Sequence, residues 1–129
     1  MTTDELIEAA IKASQQAYTP YSHFAVGASV VTNEGSVYTG CNIENISYGL
    51  TNCAERTAIF KAVSEGAKGF SAIYIYAHSE RLITPCGACL QVMSEFFTSD
   101  TLVYLIGKDK RLQILTFKEL LPYRFEILS

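Results

Sequence analysis

The segments CAERTAIFKAV (53–63), FSAIYIYA (70–77) and PCGACLQVMSEFF (85–97) determine how this chain folds. The first and the third have helix-forming composition, and Pro85 favours a helix start at the residue that follows it. The second is a short apolar run, as in buried strands. We therefore predict a helix from Cys53 to Val63, a strand from Phe70 to Ala77 and a helix from Cys86 to about Phe97. Cys53 and Cys86 then each lie at a helix start.

The residues before this region predict a helix followed by a hairpin. Thr2 and Glu5 have capping-box spacing, and alanines recur at helical intervals, so we place a helix over residues 3–17. Pro20 ends it. The turn chemistry of residues 33–35 then separates strand-like residues 24–32 from residues 36–39, as in a hairpin.

The residues after this region add two strands and a helix. Strand composition covers residues 102–106 and 112–115, and a short final helix is expected over residues 117–121. The predicted order is αββαβαββα. Strands that alternate with helices indicate an α/β fold, a three-layer α/β/α sandwich around one mixed, five-stranded sheet. A length of 129 residues with 49% apolar content suits a single domain over residues 1–129.

Composition excludes several classes of protein. A net charge of −3, without a basic stripe, argues against a nucleic-acid partner. No run approaches the roughly 20 apolar residues that span a bilayer, so we expect no membrane partner and a cytoplasmic protein. Cysteines without a secretory signal are more often metal or redox groups than disulfides. Cys41 stands apart from the other three cysteines, and we expect it to be a buried, packed thiol.

Three of the cysteines have the spacing of a metal site. Cys86 and Cys89 can approach one ion from the first turn of a helix, and Cys53 can supply a third thiolate. His23 and His78 are isolated in sequence, so no fourth ligand is evident. A structural zinc site closes its tetrahedron with a fourth protein ligand, whereas a catalytic site leaves that position for water. The pattern favours an open, catalytic zinc site.

An open site of this kind needs a proton carrier and positive charge. Glu55 projects from the same first helical turn as Cys53, where a carboxylate can move a proton between water and substrate. A lone glutamate at a helix start often interacts only with the helix dipole, and that reading stays open for Glu55 alone. Three thiolates and Zn²⁺ sum to −1, so Arg56 and the two helix N-termini are expected to compensate.

The chain resembles the cytidine deaminase superfamily in its three-cysteine variant, through Cys53-Ala54-Glu55 and Pro85-Cys86-Gly87-Ala88-Cys89. Along almost its whole length it is similar to the small homotetrameric cytidine deaminases. Further matching stretches are Tyr21-Ser22, residues 24–28, residues 40–45, Arg56, residues 120–122 and Phe125. The resemblance implies one zinc ion per subunit and hydrolytic deamination of cytidine and 2′-deoxycytidine in pyrimidine salvage.

The resemblance also implies roles for individual residues. Asn42 and Glu44 match residues that bind the ribose, and Phe24 matches one that packs near the nucleoside. Phe125 matches an aromatic that reaches the base from a neighbouring subunit, and Tyr48 lies in a segment of subunit contacts. The backbone around Ala54 and the carbonyl near Thr84 are expected to hold the exocyclic amine. Glu55 is expected to shuttle protons while water adds to C4 of cytosine and ammonia leaves.

One position departs from this family, and three other functions remain open. Leu90 stands where family members usually carry an arginine, which removes one counter-charge near the thiolates. We hypothesise that Arg56 and the helix dipoles suffice, and that the pocket accepts cytidines altered at N4 or C5. The alternatives are deamination of another aminopyrimidine nucleoside such as blasticidin S, a structural zinc module, and polynucleotide editing.

Overall fold

The computed structural model describes residues 1–126. Its helices and strands follow the predicted order. The helices are α1 (Thr3–Ser14), α2 (Ala54–Ser64), α3 (Gly87–Phe96) and α4 (Phe117–Leu120). The strands are β1 (Val26–Thr32), β2 (Val37–Cys41), β3 (Phe70–Ala77), β4 (Leu102–Ile106) and β5 (Leu112–Thr116). Two short 3₁₀ turns, Tyr48–Leu50 and Lys108–Lys110, were not predicted.

The five strands form one mixed sheet in the order β2-β1-β3-β4-β5. Strand β1 pairs antiparallel with β2 and with β3, β3 pairs parallel with β4, and β4 pairs antiparallel with β5. Because successive side chains of a strand point to opposite faces, β3 serves two cores. Ile73 and Ile75 pack with α2 and α3, while Ala72 and Tyr74 pack with α1. The result is the predicted three-layer α/β/α sandwich.

The first helix is shorter than the predicted 3–17. The capping box of Thr2 and Glu5 forms as expected, but α1 ends at Ser14. Beyond it the chain turns, and Tyr18 joins the segment after β2: its N–H donates to the Asn42 carbonyl at 3.0 Å, and its carbonyl accepts from the Glu44 N–H at 2.9 Å. Tertiary pairing thus overrides the helical alanine pattern.

Cys41 is partly exposed, so the prediction that its thiol is buried was wrong.

Two glycines let helices approach the sheet closely. A Cβ at Gly27 would lie 2.0 Å from the Ala10 carbonyl oxygen in α1. A Cβ at Gly40 would lie 2.5 Å from the Ala58 nitrogen and 2.9 Å from the Ala54 carbonyl oxygen in α2. The contacting atoms are backbone and cannot rotate away. Gly40 therefore sets the position of the helix that carries Glu55.

Gly40→Ala is expected to lower the free energy of unfolding by about 1–3 kcal/mol, since α2 must move to admit the methyl group. Denaturant unfolding of the zinc-loaded protein measures the change. Gly49→Ala is the matched control: a Cβ there meets nothing within 4 Å, and we expect a change within about 0.5 kcal/mol. Equal unfolding midpoints for the two variants would contradict the close-approach argument.

Candidate active site

Sheet topology brings the starts of α2 and α3 to one edge. Strands β2 and β3 are both antiparallel to β1, so they run in the same direction and end at the same edge of the sheet. Helix α2 is the next helix after β2, and α3 is the next after β3. Cys53 is the N-cap residue of α2, and Cys86 is the N-cap residue of α3. The two predicted helix-start cysteines therefore meet.

The sulfur atoms of Cys53, Cys86 and Cys89 lie within 4.8 Å of one another. The Cys53 and Cys86 sulfurs are 3.8 Å apart. Zn–S bonds of about 2.3 Å in a tetrahedron place two sulfurs about 3.8 Å apart, so this pair fits one zinc ion. Within residues 1–126, no fourth His, Cys, Asp or Glu joins the group. The donor set therefore fits zinc with an open fourth position, as expected of a catalytic site.

Hydrogen bonds to the cluster stabilise negative charge on sulfur. The pKa of the Cys53 thiol is lowered to about 5, first because Cys89 donates a hydrogen bond to it and then because Arg56 does. The Arg56 Nη2 lies 3.4 Å from the Cys53 sulfur. The pKa of Cys89 is raised by its bond to Cys53 and by burial. Arg56 thus supplies the positive charge expected beside the thiolates.

The backbone supports the same cluster. The Cys89 N–H points at the Cys86 sulfur, 3.5 Å away, so Cys86 caps α3 through its sulfur. Cys53 makes no side-chain capping bond of its own on α2. Both sulfurs still lie at helix N-termini, where the partial positive charge of the helix favours an anionic ligand. The two helix starts therefore add to the compensation from Arg56.

Glu55 is the buried acid of this site. It lies in the first turn of α2, and its side chain is buried, with 5% of the residue exposed. Burial, and to a smaller extent the neighbouring Cys53 thiolate, raises the pKa of its carboxyl to about 7. A carboxyl with this pKa both accepts and releases protons near neutral pH, as a general acid–base requires. Simple pairing with the helix dipole does not require such burial.

A cavity of about 220 Å³ opens beside the cluster. Its polar and ligand residues include Asn42, Glu55 and Thr84. The residues that line it are Phe24, Val26, Asn42, Cys53, Ala54, Glu55, Ile75, Ile83, Thr84 and Cys86. Six of the predicted site residues and Thr84 thus line one cavity, among them Glu55 and two of the three cysteines.

The apolar wall of the cavity was missed from sequence. Val26 begins β1, and Ile75 lies on the face of β3 that packs toward α2 and α3. The alternating pattern of each strand could have placed these two residues on the side of the cysteine helices. Ile83 lies in the loop before α3, where no periodicity signals its position.

The two predicted ribose-binding residues occupy different places. Asn42 lines the cavity, where its Oδ1 accepts from the Val26 N–H at 2.9 Å and its Nδ2 donates to the Phe24 carbonyl at 2.8 Å. Glu44 lies in a separate groove. Its carboxylate accepts hydrogen bonds from the N–H groups of Tyr21 and Ser22 and from the Ser22 hydroxyl, which lowers its pKa.

Three further predicted positions lie outside the cavity. Phe125 is 83% exposed and lines a separate pocket near the end of α3. Tyr48 is 74% exposed and packs edge-on against Tyr21, with ring centroids 6.0 Å apart. Leu90 is partly buried and packs against the core between the sheet and the cysteine helices. Leu90 does not line the cavity within its own chain.

None of the helices within residues 1–126 combines the length and the apolar character needed to cross a membrane.

Comparison with known proteins agrees with this geometry. Residues 1–105 match the family described as the cytidine and deoxycytidylate deaminase zinc-binding region. The cytidine deaminase of Halalkalibacterium halodurans is 53% identical over 125 residues, which cover 97% of this chain and 95% of that protein. The crystal structure of cytidine deaminase from Burkholderia pseudomallei superimposes with a TM-score of 0.93 and 47% identity, covering 97% of this chain and 100% of that chain.

A relative with a different name is more distant. The blasticidin-S deaminase of Bacillus cereus is 33% identical over 129 residues, covering 94% of this chain and 90% of that protein. The family match, the close relatives and the three-sulfur cluster beside a buried carboxyl lead to the same conclusion. This chain belongs to the zinc-binding cytidine and deoxycytidylate deaminase family.

Proposed function

We infer that the chain is a zinc-dependent cytidine deaminase. It hydrolyses cytidine and 2′-deoxycytidine to uridine and 2′-deoxyuridine and releases ammonia. The observation that carries this conclusion is the buried Glu55 carboxyl, which lines the same cavity as the sulfur-bearing residues Cys53 and Cys86. That arrangement places a proton carrier beside an open metal site, in a chain 53% identical to a cytidine deaminase.

Cys53, Cys86 and Cys89 would hold the zinc ion, which when bound makes a water molecule acidic near neutral pH. Glu55 takes a proton from the attacking water and delivers it to N3 of cytosine. Water oxygen becomes bonded to C4, the C4–N4 bond breaks, and a proton passed by Glu55 leaves with the amine as ammonia. The pKa of about 7 suits both directions of transfer.

Binding of the nucleoside is assigned to the residues of the cavity and its surroundings. Phe24 packs near the nucleoside, Asn42 and Glu44 bind the ribose, and the backbone around Ala54 holds the exocyclic amine. The ribose-binding role of Asn42 is supported by its place in the cavity. Beyond its two hydrogen bonds to the backbone, its amide retains one N–H proton and one oxygen lone pair for the substrate. For Glu44 to bind the ribose, the ribose must extend into the groove that Glu44 lines.

We propose a homotetramer, as in the small cytidine deaminases that the chain resembles, in which a neighbouring subunit completes the cavity. Phe125 lies outside its own cavity and is 83% exposed, which supports a role for it in the site of a neighbouring subunit. The segment that carries Tyr48 is rich in exposed apolar side chains, which supports its burial between subunits. The exposed residues of this segment are Ile43 at 46%, Ile46 at 79%, Tyr48 at 74% and Leu50 at 72%.

The remaining proposals concern the whole protein and its setting. Residues 1–129 are proposed to form one catalytic domain, because residues 26–116 build one continuous five-stranded sheet. Thiolate ligands must stay reduced, which supports a cytoplasmic location. The reaction converts the cytosine of a nucleoside to uracil, which supports a role in pyrimidine salvage. Each subunit is proposed to bind one zinc ion.

The decisive measurement follows ultraviolet absorbance as the zinc-loaded chain acts on cytidine, 2′-deoxycytidine and blasticidin S. We expect kcat/KM for both cytosine nucleosides to exceed that for blasticidin S by at least about 100-fold, because a site shaped for ribose leaves polar groups unpaired with another sugar. Turnover of blasticidin S without turnover of either cytosine nucleoside would refute the assignment as a cytidine deaminase. N4-methylcytidine is the fourth substrate, and we expect it to be deaminated. Strict rejection of it would overturn the hypothesis that the pocket accepts cytidines altered at N4.

A further inference from the structure

Arg124 joins the end of the chain to the far end of the cysteine helix α3. Its Nε donates to the Ser94 hydroxyl at 3.1 Å, and its Nη2 donates to the Phe97 carbonyl at 3.0 Å and to the Ser94 carbonyl. The guanidinium carbon also lies 5.3 Å from the centre of the Phe117 ring. Arg124 thus combines three hydrogen bonds with a cation–π contact.

These bonds reach groups that otherwise lack partners in a helix. The last carbonyls of an α-helix have no intrahelical donor, and a cation near them interacts favourably with the helix dipole. Ser94 and Phe97 are both buried, and Phe97 is the C-cap residue of α3. A guanidinium, with five donors in a planar fork, suits two carbonyls and a hydroxyl at once. The contact is built into the fold rather than formed on an open surface.

The rest of this tail is loosely held. Tyr123 is 93% exposed and Phe125 is 83% exposed, on either side of Arg124. Within the described part of the chain, residues 122–126 make no backbone–backbone hydrogen bonds. Within the described residues, the side-chain bonds of Arg124 therefore join this segment to the helix layer one residue before Phe125.

We propose that Arg124 is a positioning residue that fixes Phe125 for contact with the nucleoside in a neighbouring subunit. This inference rests on the proposed function. Arg124 belongs neither to the cavity lining nor to the sulfur cluster, so it acts on the substrate indirectly, and we assign that effect to the adjacent Phe125. Loss of Arg124 frees the tail, and the aromatic contact must then be ordered again each time substrate binds.

A double-mutant cycle tests the coupling. Arg124→Ala and Phe125→Ala are each expected to raise KM for cytidine about tenfold, the upper value for one aromatic contact, with kcat changed less than about threefold. The double variant is expected to show the same tenfold increase, because both changes remove one interaction. Arg124→Lys keeps the charge and is expected to recover part of the loss. Tyr123→Ala, in the same tail, is the control with unchanged KM.

Other results overturn the inference. An increase near 100-fold in the double variant means that the two residues act independently. An unchanged KM for Arg124→Ala means that Arg124 positions nothing. A loss of zinc from Arg124→Ala means that Arg124 has a general structural role instead. An unchanged KM for Phe125→Ala also overturns the inference, because Arg124 then has nothing to position.

A second readout separates this inference from the proposed function. Chymotrypsin cleaves after aromatic residues, and release of the tail is expected to speed cleavage after Tyr123 and Phe125 in Arg124→Ala at least about tenfold. This rate needs no catalytic activity. If the native chain fails to deaminate cytidine, the proposed function fails, while unchanged cleavage in Arg124→Ala refutes the attachment itself.

Discussion

Replacement of Glu55 by glutamine is expected to lower kcat/KM for cytidine by about 10⁴-fold, the upper end of what general acid–base catalysis contributes. Glutamine has the same shape but cannot carry a proton between water, N3 and the departing amine. The carboxyl is buried and its pKa is raised to about 7, so a neutral replacement is compatible with its surroundings. Absorbance assays measure the activity, and zinc analysis should show unchanged metal content.

The control for this prediction is Glu5→Gln. Glu5 also lies in the first turn of a helix, but it is exposed and takes part in the α1 capping box, which glutamine can replace. We expect Glu5→Gln to keep native activity. If Glu55 acted only on the helix dipole, its replacement would cost about 0.3–1 kcal/mol of stability and leave turnover intact. Full activity in Glu55→Gln with zinc bound would refute its role as proton carrier.

Cys86→Ser is expected to weaken zinc binding by more than about 100-fold and to abolish activity at micromolar zinc. Loss of an outer-shell partner already costs about 10–100-fold in metal affinity, and a ligand itself should cost more. Serine is a good N-cap residue, so the start of α3 keeps a capping side chain. The side chain of Cys86 is exposed, so the change opens no cavity in the core. Competition with a chromogenic chelator measures the affinity.

Cys41→Ser is the matched control, since Cys41 is a free thiol outside the three-sulfur group. It should keep zinc affinity and activity. Removal of zinc from the native chain by a chelator should abolish activity, and added zinc should restore it. Tight zinc binding by Cys86→Ser, or equal loss in the two serine variants, would contradict the assignment of the ligands.

Local sequence signals were sufficient for most of the secondary structure. The capping box at Thr2, the turn residues of the β1–β2 hairpin and Pro85 before α3 each specify their structure through near neighbours. Strand order is different. Val30 of β1 pairs with Ile73 of β3, more than forty residues away, and no short-range pattern encodes that partner. The same reason explains the early end of α1, where pairing of Tyr18 with Ile43 replaces helix.

The site residues likewise divide into those that local spacing predicts and those that only the tertiary structure brings together. The C-x-x-C pair, Cys53 and Glu55 are visible from spacing because helix geometry fixes where they point. Their meeting depends on the sheet topology. The bonds of Arg124 to Ser94 and Phe97 join residues about 30 positions apart and carry no motif, so sequence reasoning missed them. Phe125 and Tyr48 remain predictions, because one chain does not contain the contacts assigned to them.

The insertion of β1 between β2 and β3 also links the native zinc site to long-range strand pairing. Cys53 and the C-x-x-C pair follow different strands, so the native arrangement of their sulfurs requires β3 to be paired with β1. Closure of long loops is a slow, entropically costly stage of folding. Before that stage, helix geometry alone holds only Cys86 and Cys89 close together. The three-cysteine site in its native geometry therefore belongs to a chain in which β3 has paired with β1.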